Sequence, residues 1–160
     1  MTTTVPGSDQ ARRLTEWAAG CAERALATFT GQFPDDLGGE AVAAARAWAG
    51  GTGTADACRE AAFDVQATAR DAHDAGYRAL AVALRAAANA AASVDDPVLA
   101  TDAAALAIES ITVNSAPCEQ ESHAAGELRQ QWDELPGDLR PSVFPAEPPL
   151  PPAAACAIEP

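Results

Sequence analysis

The 160-residue sequence predicts an all-α, single-domain bundle of five or six helices, followed by a proline-rich C-terminal tail. Apolar residues recur at three- and four-residue spacing in successive segments, which is the period of an amphipathic helix. Clusters of proline, glycine and aspartate separate these segments, and neither strand-like alternation nor an internal repeat occurs. A chain of this length has the size of one domain and can remove roughly 70% of its unfolded surface from water.

Three stretches of different composition follow one another along the chain. Residues 1–7 are polar and we expect them to be disordered, residues 8–140 carry the helical periodicity, and residues 141–160 form the tail. Because the tail is rich in proline, we expect an extended or disordered end. Cys156 lies there in PPLPPAAACAIEP, a segment that we consider a hypothetical site of recognition or modification by another protein.

The helix boundaries follow from cap residues and helix-breaking residues. Ser8 and Thr54 are predicted N-caps of the first and third helices, and Asp35 and Asp36 are predicted caps of the second. We favour a bend near Gly76 between the third and fourth helices. The expected helices span about residues 8–30, 40–49, 74–93, 97–113 and 117–134, and the third helix begins after Thr54 and leads through residues 73–76 into the fourth.

The fourth helix, 74–93, is the predicted centre of the bundle, because alanine dominates it and lets neighbouring helices approach closely. One side carries Tyr77, Leu80 and Leu84. At about 100° per residue, the polar side chains fall together on the other side and form what we call the polar seam, which consists of Asp74, Arg78, Arg85, Asn89 and Ser93. Polar groups on a buried helix are costly unless they are used or satisfied. The predicted binding residues, on and beside this seam, are Arg78, Arg85, Asn89, Ser93 and Asp95. The alternative is that these side chains face water or satisfy one another.

The expected core consists of many alanine contacts around a few large side chains, since the sequence is 48% hydrophobic but only 5% aromatic. Loss of one large side chain should therefore cost more stability than loss of any alanine. The predicted anchors are Trp17, Phe29, Trp48, Phe63, Tyr77 and Trp132.

The formal charge is −13, from 23 acidic and 10 basic residues, and lysine is absent. Such a surface repels phosphate backbones, which argues against nucleic acid and favours a basic protein or a cationic small molecule as partner. An equally simple interpretation is that the charge only maintains solubility. No apolar run approaches the roughly 20 residues of a membrane span, so we expect no membrane association, and we expect a cytoplasmic protein with reduced thiols.

Three chemistries require residues that the sequence supplies only in scattered form. A metal site would have to recruit Cys58, His73, Cys118 and His123, whose spacing fits no usual zinc motif. A nucleophilic site would pair Cys21 or Cys58 with His73, although Cys21 lies on an apolar stripe. A general acid and base could be drawn from Asp35, Asp36 and Glu40. Carboxylates in such positions are more often helix caps. We therefore expect no metal or cofactor, and a binding protein is favoured over an enzyme.

Four stretches resemble a known family in the same order along the chain: RRLTEWAAGCAERAL, FPDDLGGEAVAAARAWAGG, CREAAFDVQATARDA and ELRQQWDELPGDLRPSV. They are similar to the immunity protein 5-like group of bacterial polymorphic-toxin systems, which has a Trp-Ala-x-x-Cys-Ala-Glu-Arg helix, a Pro-Asp-Asp turn and a closing Trp, Leu-Pro and Leu-Arg. The resemblance covers about residues 12–143. The family tends to carry histidines in its central alanine-rich helix and shortly after it, where this sequence has Asn89 and Asp95.

The resemblance implies a protein that binds and neutralises a cognate toxin, and the negative charge implies an acidic interface for a toxin with a basic surface. A second hypothesis is a small helical enzyme or ligand-binding protein of a specialised biosynthetic pathway. Its pocket would lie on the central helix beside the polar seam and hold a small polar ligand. A third is an oligomeric structural protein.

Overall fold

The computed structural model describes residues 5–34 and 36–153, and this part of the chain is helical without any strand. The all-α prediction is confirmed, with one helix more than expected because a short final helix follows residue 139. The helices are α1 Asp9–Ala27, α2 Gly39–Ala49, α3 Ala55–Asp74, α4 Arg78–Ala92, α5 Val98–Val113, α6 Gln120–Glu134 and α7 Arg140–Val143.

Two of the predicted caps are confirmed. The Ser8 hydroxyl accepts a hydrogen bond from the Ala11 amide, and the Thr54 hydroxyl accepts one from the Ala57 amide, each at 3.1 Å. These bonds satisfy amides that have no partner within the first turn of a helix.

The predicted cap of α2 by Asp36 is wrong. The N-cap is Gly38, in a left-handed conformation (φ 81°) and without a side-chain hydrogen bond. Asp36 has a φ of 77°, and a Cβ placed on Gly39 would lie 1.8 Å from its carboxylate oxygen. Glycine at position 39 is therefore what allows the turn to close against Asp36. Asp35 and Cys156 lie outside the described residues.

Helix α4 is the central helix, as predicted, and packs against α1, α2, α3 and α5. Ten of its fifteen residues are buried. It begins later than expected, because Asp74 ends α3 and Gly76, with a φ of 86°, turns the chain. The bend expected near Gly76 is thus confirmed.

The core is built mostly from alanines, with Trp17, Phe29 and Trp48 buried as predicted. The prediction that Phe63 and Tyr77 are core anchors is wrong, because 72% and 53% of these residues are exposed. Phe63 lies on the side of α3 that faces away from the buried residues of this helix. Tyr77 lies in the turn before α4, where its ring packs edge-on against Phe33 with centroids 4.9 Å apart.

Trp132, the remaining predicted anchor, is half-buried on α6. The guanidinium of Arg140 lies 3.9 Å from the centre of its ring, and that of Arg129 lies 5.0 Å from it. Cation–π contacts therefore take the place of core packing at this position.

Residues 144–153 have no helix or strand but contact the bundle. The ring of Phe144 packs edge-on against Trp17, with centroids 6.2 Å apart. Glu147 pairs with Arg129 at 2.7 Å, and the Ser122 hydroxyl donates a hydrogen bond to the Pro152 carbonyl at 2.9 Å. This segment therefore runs along α6.

Candidate functional site

The polar seam of α4 divides between solvent and core. Arg78 and Arg85 are exposed, Asn89 is half-buried and Ser93 is buried. Arg78 approaches Glu109 of α5 at 4.0 Å. Within the described part of the chain, the side chains of Arg85 and Asn89 form no hydrogen bond or ion pair. These two side chains remain accessible to a partner, whereas Ser93, at the end of the seam, is buried.

Ser93 is part of the contact between α1 and α4. Its hydroxyl donates to the Ala90 carbonyl at 2.7 Å and lies 2.7 Å from the hydroxyl of Thr15. Since a hydroxyl has one proton to donate, Thr15 is the donor of the second bond. Both residues are fully buried, so this pair holds two helices together.

Asp95, beyond the end of α4, pairs with Arg59 of α3. Nε and Nη2 of Arg59 donate to the two carboxylate oxygens at 2.8 and 2.7 Å. Hydrogen bonds from a guanidinium favour the ionised carboxylate, so the pKa of Asp95 lies below its usual value. Arg59 also contacts Asp56, one turn earlier in α3. Asp95 thus ties the α4–α5 connection to α3.

A largely buried set of polar side chains joins α1 to α6, and we call it the Arg24 network. Arg24 donates to both carboxylate oxygens of Glu127 at 3.0 Å and also pairs with Glu134. Gln131 donates to Glu127 at 2.9 Å, and its backbone carbonyl accepts from the Trp17 indole at 2.9 Å. On α6 the sequence predicted Trp132 as an anchor, but the buried residues of this helix are Glu127 and Gln131. Arg24 of α1 is the partner of Glu127, and the Gln131 amide donates to Glu127 and to the Ala104 carbonyl of α5.

The Arg24 network explains why the segments WAAGCAER and ELRQQWDEL occur together. Trp17 and Arg24 come from the first segment, and Glu127, Gln131 and Glu134 come from the second. These residues dock α6 on the bundle, so the first and the last of the stretches that carry the resemblance have a structural role in this helix contact.

The cysteines do not support a nucleophilic site. Burial raises the pKa of the Cys21 thiol to about 12, and it also raises the pKa of Cys58. The Cys58 thiol donates to the Ala44 carbonyl at 3.3 Å. Thiols with raised pKa values are poor nucleophiles near neutral pH. Cys118 is disulfide-bonded, so the prediction of a reduced thiol is wrong there.

Two grooves lie on the α1 and α2 side of the molecule. One, of about 500 Å³, lies between the end of α1, the turn after it and α2, and its lining is largely apolar. The other, of about 720 Å³, follows the outer face of α1 and is lined by charged side chains. Arg46, on the wall of both, pairs with Glu23 at 2.8 Å. Neither groove includes Arg85, Asn89 or Ser93 in its lining.

The outer side of α3, which we call the α3 face, is an exposed and mostly acidic surface, unlike the two grooves. Its residues lie within an arc of about 120° on the helix, on the side away from the buried Val65 and Ala69. The α3 face consists of Asp56, Glu60, Phe63, Asp64, Ala67, Arg70, Asp71 and Asp74.

Four of the five carboxylates of the α3 face form no ion pair with a described residue. Of its five acidic residues, only Asp56 forms an ion pair with another described residue, which is Arg59. The sequence-based list of binding residues missed this face, because Phe63 was assigned to the core. The signal that could have found it is that Phe63 is flanked by Glu60 and Asp64 on the polar side of the helix.

The described residues form neither a cluster of metal-ligating side chains nor a membrane-spanning helix. In residues 5–34 and 36–153, no three histidine, cysteine, aspartate or glutamate side chains come close enough together to hold a metal ion. His123, one of the residues considered for such a site, has its Nδ1 2.7 Å from the Ser115 hydroxyl. None of the described helices combines the length and the apolar character needed to cross a membrane.

Comparison with known proteins gives one match. The family described as "Imm-5 like putative immunity protein" matches residues 6–138, which include α1 to α6. No curated protein and no solved structure matches the chain. Since the family match spans most of the sequence, the chain belongs to the Imm-5 like putative immunity protein family.

Proposed function

We propose that this protein neutralises a cognate toxin by forming a 1:1 complex with a basic surface of that toxin. Membership of an immunity family supports a toxin as the partner. The α3 face is the observation that carries the choice of an acidic interface, since it presents five carboxylates beside a single arginine, Arg70.

The distribution of ion pairs supports this face over the charged groove of α1. In the groove, Arg46 and Arg13 are paired with Glu23 and Asp138, so positive and negative charges largely cancel. On the α3 face the carboxylates keep their negative potential. Such a potential accelerates encounter with a basic partner within a screening length of about 8 Å at physiological salt.

The test compares two double variants that remove the same charge from different places. Glu60→Gln with Asp64→Asn neutralises the α3 face, whereas Asp102→Asn with Glu121→Gln neutralises exposed acids of α5 and α6. Surface plasmon resonance measures binding to a candidate toxin domain, chosen from the genes that neighbour the gene of this protein, at several salt concentrations. We expect the first variant to lower the association rate by roughly fivefold to tenfold and to weaken its salt dependence, and the control to approach wild type.

Protection of cells that express the toxin gives the second measurement. At equal expression levels of the immunity protein, we expect wild type and the α5–α6 control to protect the cells and the α3 variant to protect them less. Equal effects of the two double variants, or an association rate that salt does not change, would contradict an interface on the α3 face.

A further inference from the structure

We infer that Phe63 is the central anchor of the toxin interface, and that the toxin surface which covers it has an apolar pocket ringed by lysine or arginine side chains. This inference rests on the proposed function. It names the residue that supplies affinity, whereas the carboxylates chiefly supply attraction and orientation.

The exposure of Phe63 is the first observation. The residue is 72% exposed and lies near the middle of α3, a helix of 20 residues and thus about 30 Å long. Tyr77, which is also exposed, has a ring partner in Phe33. No described aromatic ring packs against Phe63. Covering its ring would remove a large apolar area from water, as is typical of residues that dominate interface energetics.

The surroundings of Phe63 select the kind of partner. Glu60 lies one turn before it and Asp64 adjoins it. Arg59, also one turn before it, is already paired with Asp56 and Asp95, and Arg70 lies two turns beyond it. A second copy of this chain would place like charges opposite each other, and a nucleic acid would add phosphate charges, so repulsion disfavours both. A basic protein surface with a cavity at its centre complements an exposed ring on a face where carboxylates outnumber arginines. Its arginines could pair with the carboxylates and contact the ring.

The experiment compares Phe63→Ala with Val98→Ala, because Val98 is a 62% exposed apolar residue on α5. Titration calorimetry at about 150 mM salt measures the Kd for the same candidate toxin domain. We expect Phe63→Ala to raise Kd by about 30-fold or more, and Val98→Ala to change it by less than about twofold. Phe63→Leu, which keeps an apolar side chain, should give an intermediate Kd. Thermal unfolding should show all three variants folded like wild type, since the replaced side chains are exposed.

The outcomes separate the inference from the proposed function. If wild type and Val98→Ala bind and protect, but Phe63→Ala binds equally tightly, Phe63 is not the anchor of the interface. The proposed immunity function is not affected by that result. If wild type itself neither binds nor protects against this toxin, the proposed function is overturned and the anchor with it.

Discussion

The contact between α1 and α6 and the outer face of α3 use charged residues in opposite ways. In the Arg24 network, Glu127 and Gln131 are buried and every carboxylate has a partner on α1 or α6. On the α3 face, carboxylates lie in solvent around an exposed ring, and most have no partner within the described residues. Charged residues that are paired across a helix contact therefore stabilise the bundle, whereas carboxylates that are unpaired among the described residues leave the α3 face open to a partner.

The largest expected effect comes from breaking the Arg24 network. Glu127→Ala leaves Arg24 without its main partner and removes one of the two acceptors of the Gln131 amide, the other being the Ala104 carbonyl. Because about a quarter of the Arg24 side chain is exposed, we expect a loss of about 2–3 kcal/mol of unfolding free energy, at the low end for buried pairs. Circular dichroism should record a fall in Tm of about 5–10 °C.

Glu134→Ala is the matched control, since Glu134 binds the same arginine but its side chain is 39% exposed. Its cost should stay below about 1 kcal/mol. Below their Tm, both variants should bind toxin like wild type. A loss of toxin affinity in a folded Glu127→Ala protein would contradict the division between a structural and a binding region.

An intermediate effect on stability is expected for Ser93→Ala. It leaves the buried Thr15 hydroxyl without its acceptor, which should cost about 1–2 kcal/mol. Asn89→Ala, one turn earlier on α4, should cost less than about 0.5 kcal/mol because this side chain forms no hydrogen bond with any described residue. Urea unfolding measures both values. If Asn89→Ala instead weakens toxin binding at unchanged stability, the interface extends from the α3 face onto the polar seam.

The sequence predicted the fold well wherever the signal is local. Helical spacing located the helices, and the hydroxyls of Ser8 and Thr54 marked the starts of α1 and α3. The sequence-based prediction failed where the burial of a residue depends on another helix. Glu127 and Gln131 are polar residues that are nevertheless buried. Their hydrogen-bond partners are Arg24 and the Ala104 carbonyl, which lie far away in the sequence.

The candidate site was predictable only in part for the same reason. Periodicity placed Arg85, Asn89 and Ser93 on one side of α4. It could not show that α1 covers Ser93 through Thr15 while Arg85 stays in solvent. For Phe63, hydrophobicity suggested the core although its position on α3 indicated solvent. An exposed aromatic residue departs from the rule that large apolar side chains lie in the core. Such a departure marks a position where a binding function is to be sought.

The smallest expected effect concerns Glu23 and Arg46, a pair on the exposed side of α1. Hydrogen bonds from Arg46 lower the pKa of Glu23, so the pair stabilises the fold above the unfolded pKa of about 4.3, and this contribution is lost as pH falls through the lower folded value. Glu23→Gln should cost no more than about 0.5 kcal/mol at neutral pH, since both side chains are more than one-third exposed. Urea unfolding between about pH 6 and 3 should show a smaller acid-induced loss in this variant. At about 1 M salt its difference from wild type should vanish, whereas the cost of Glu127→Ala should persist because buried pairs are screened far less.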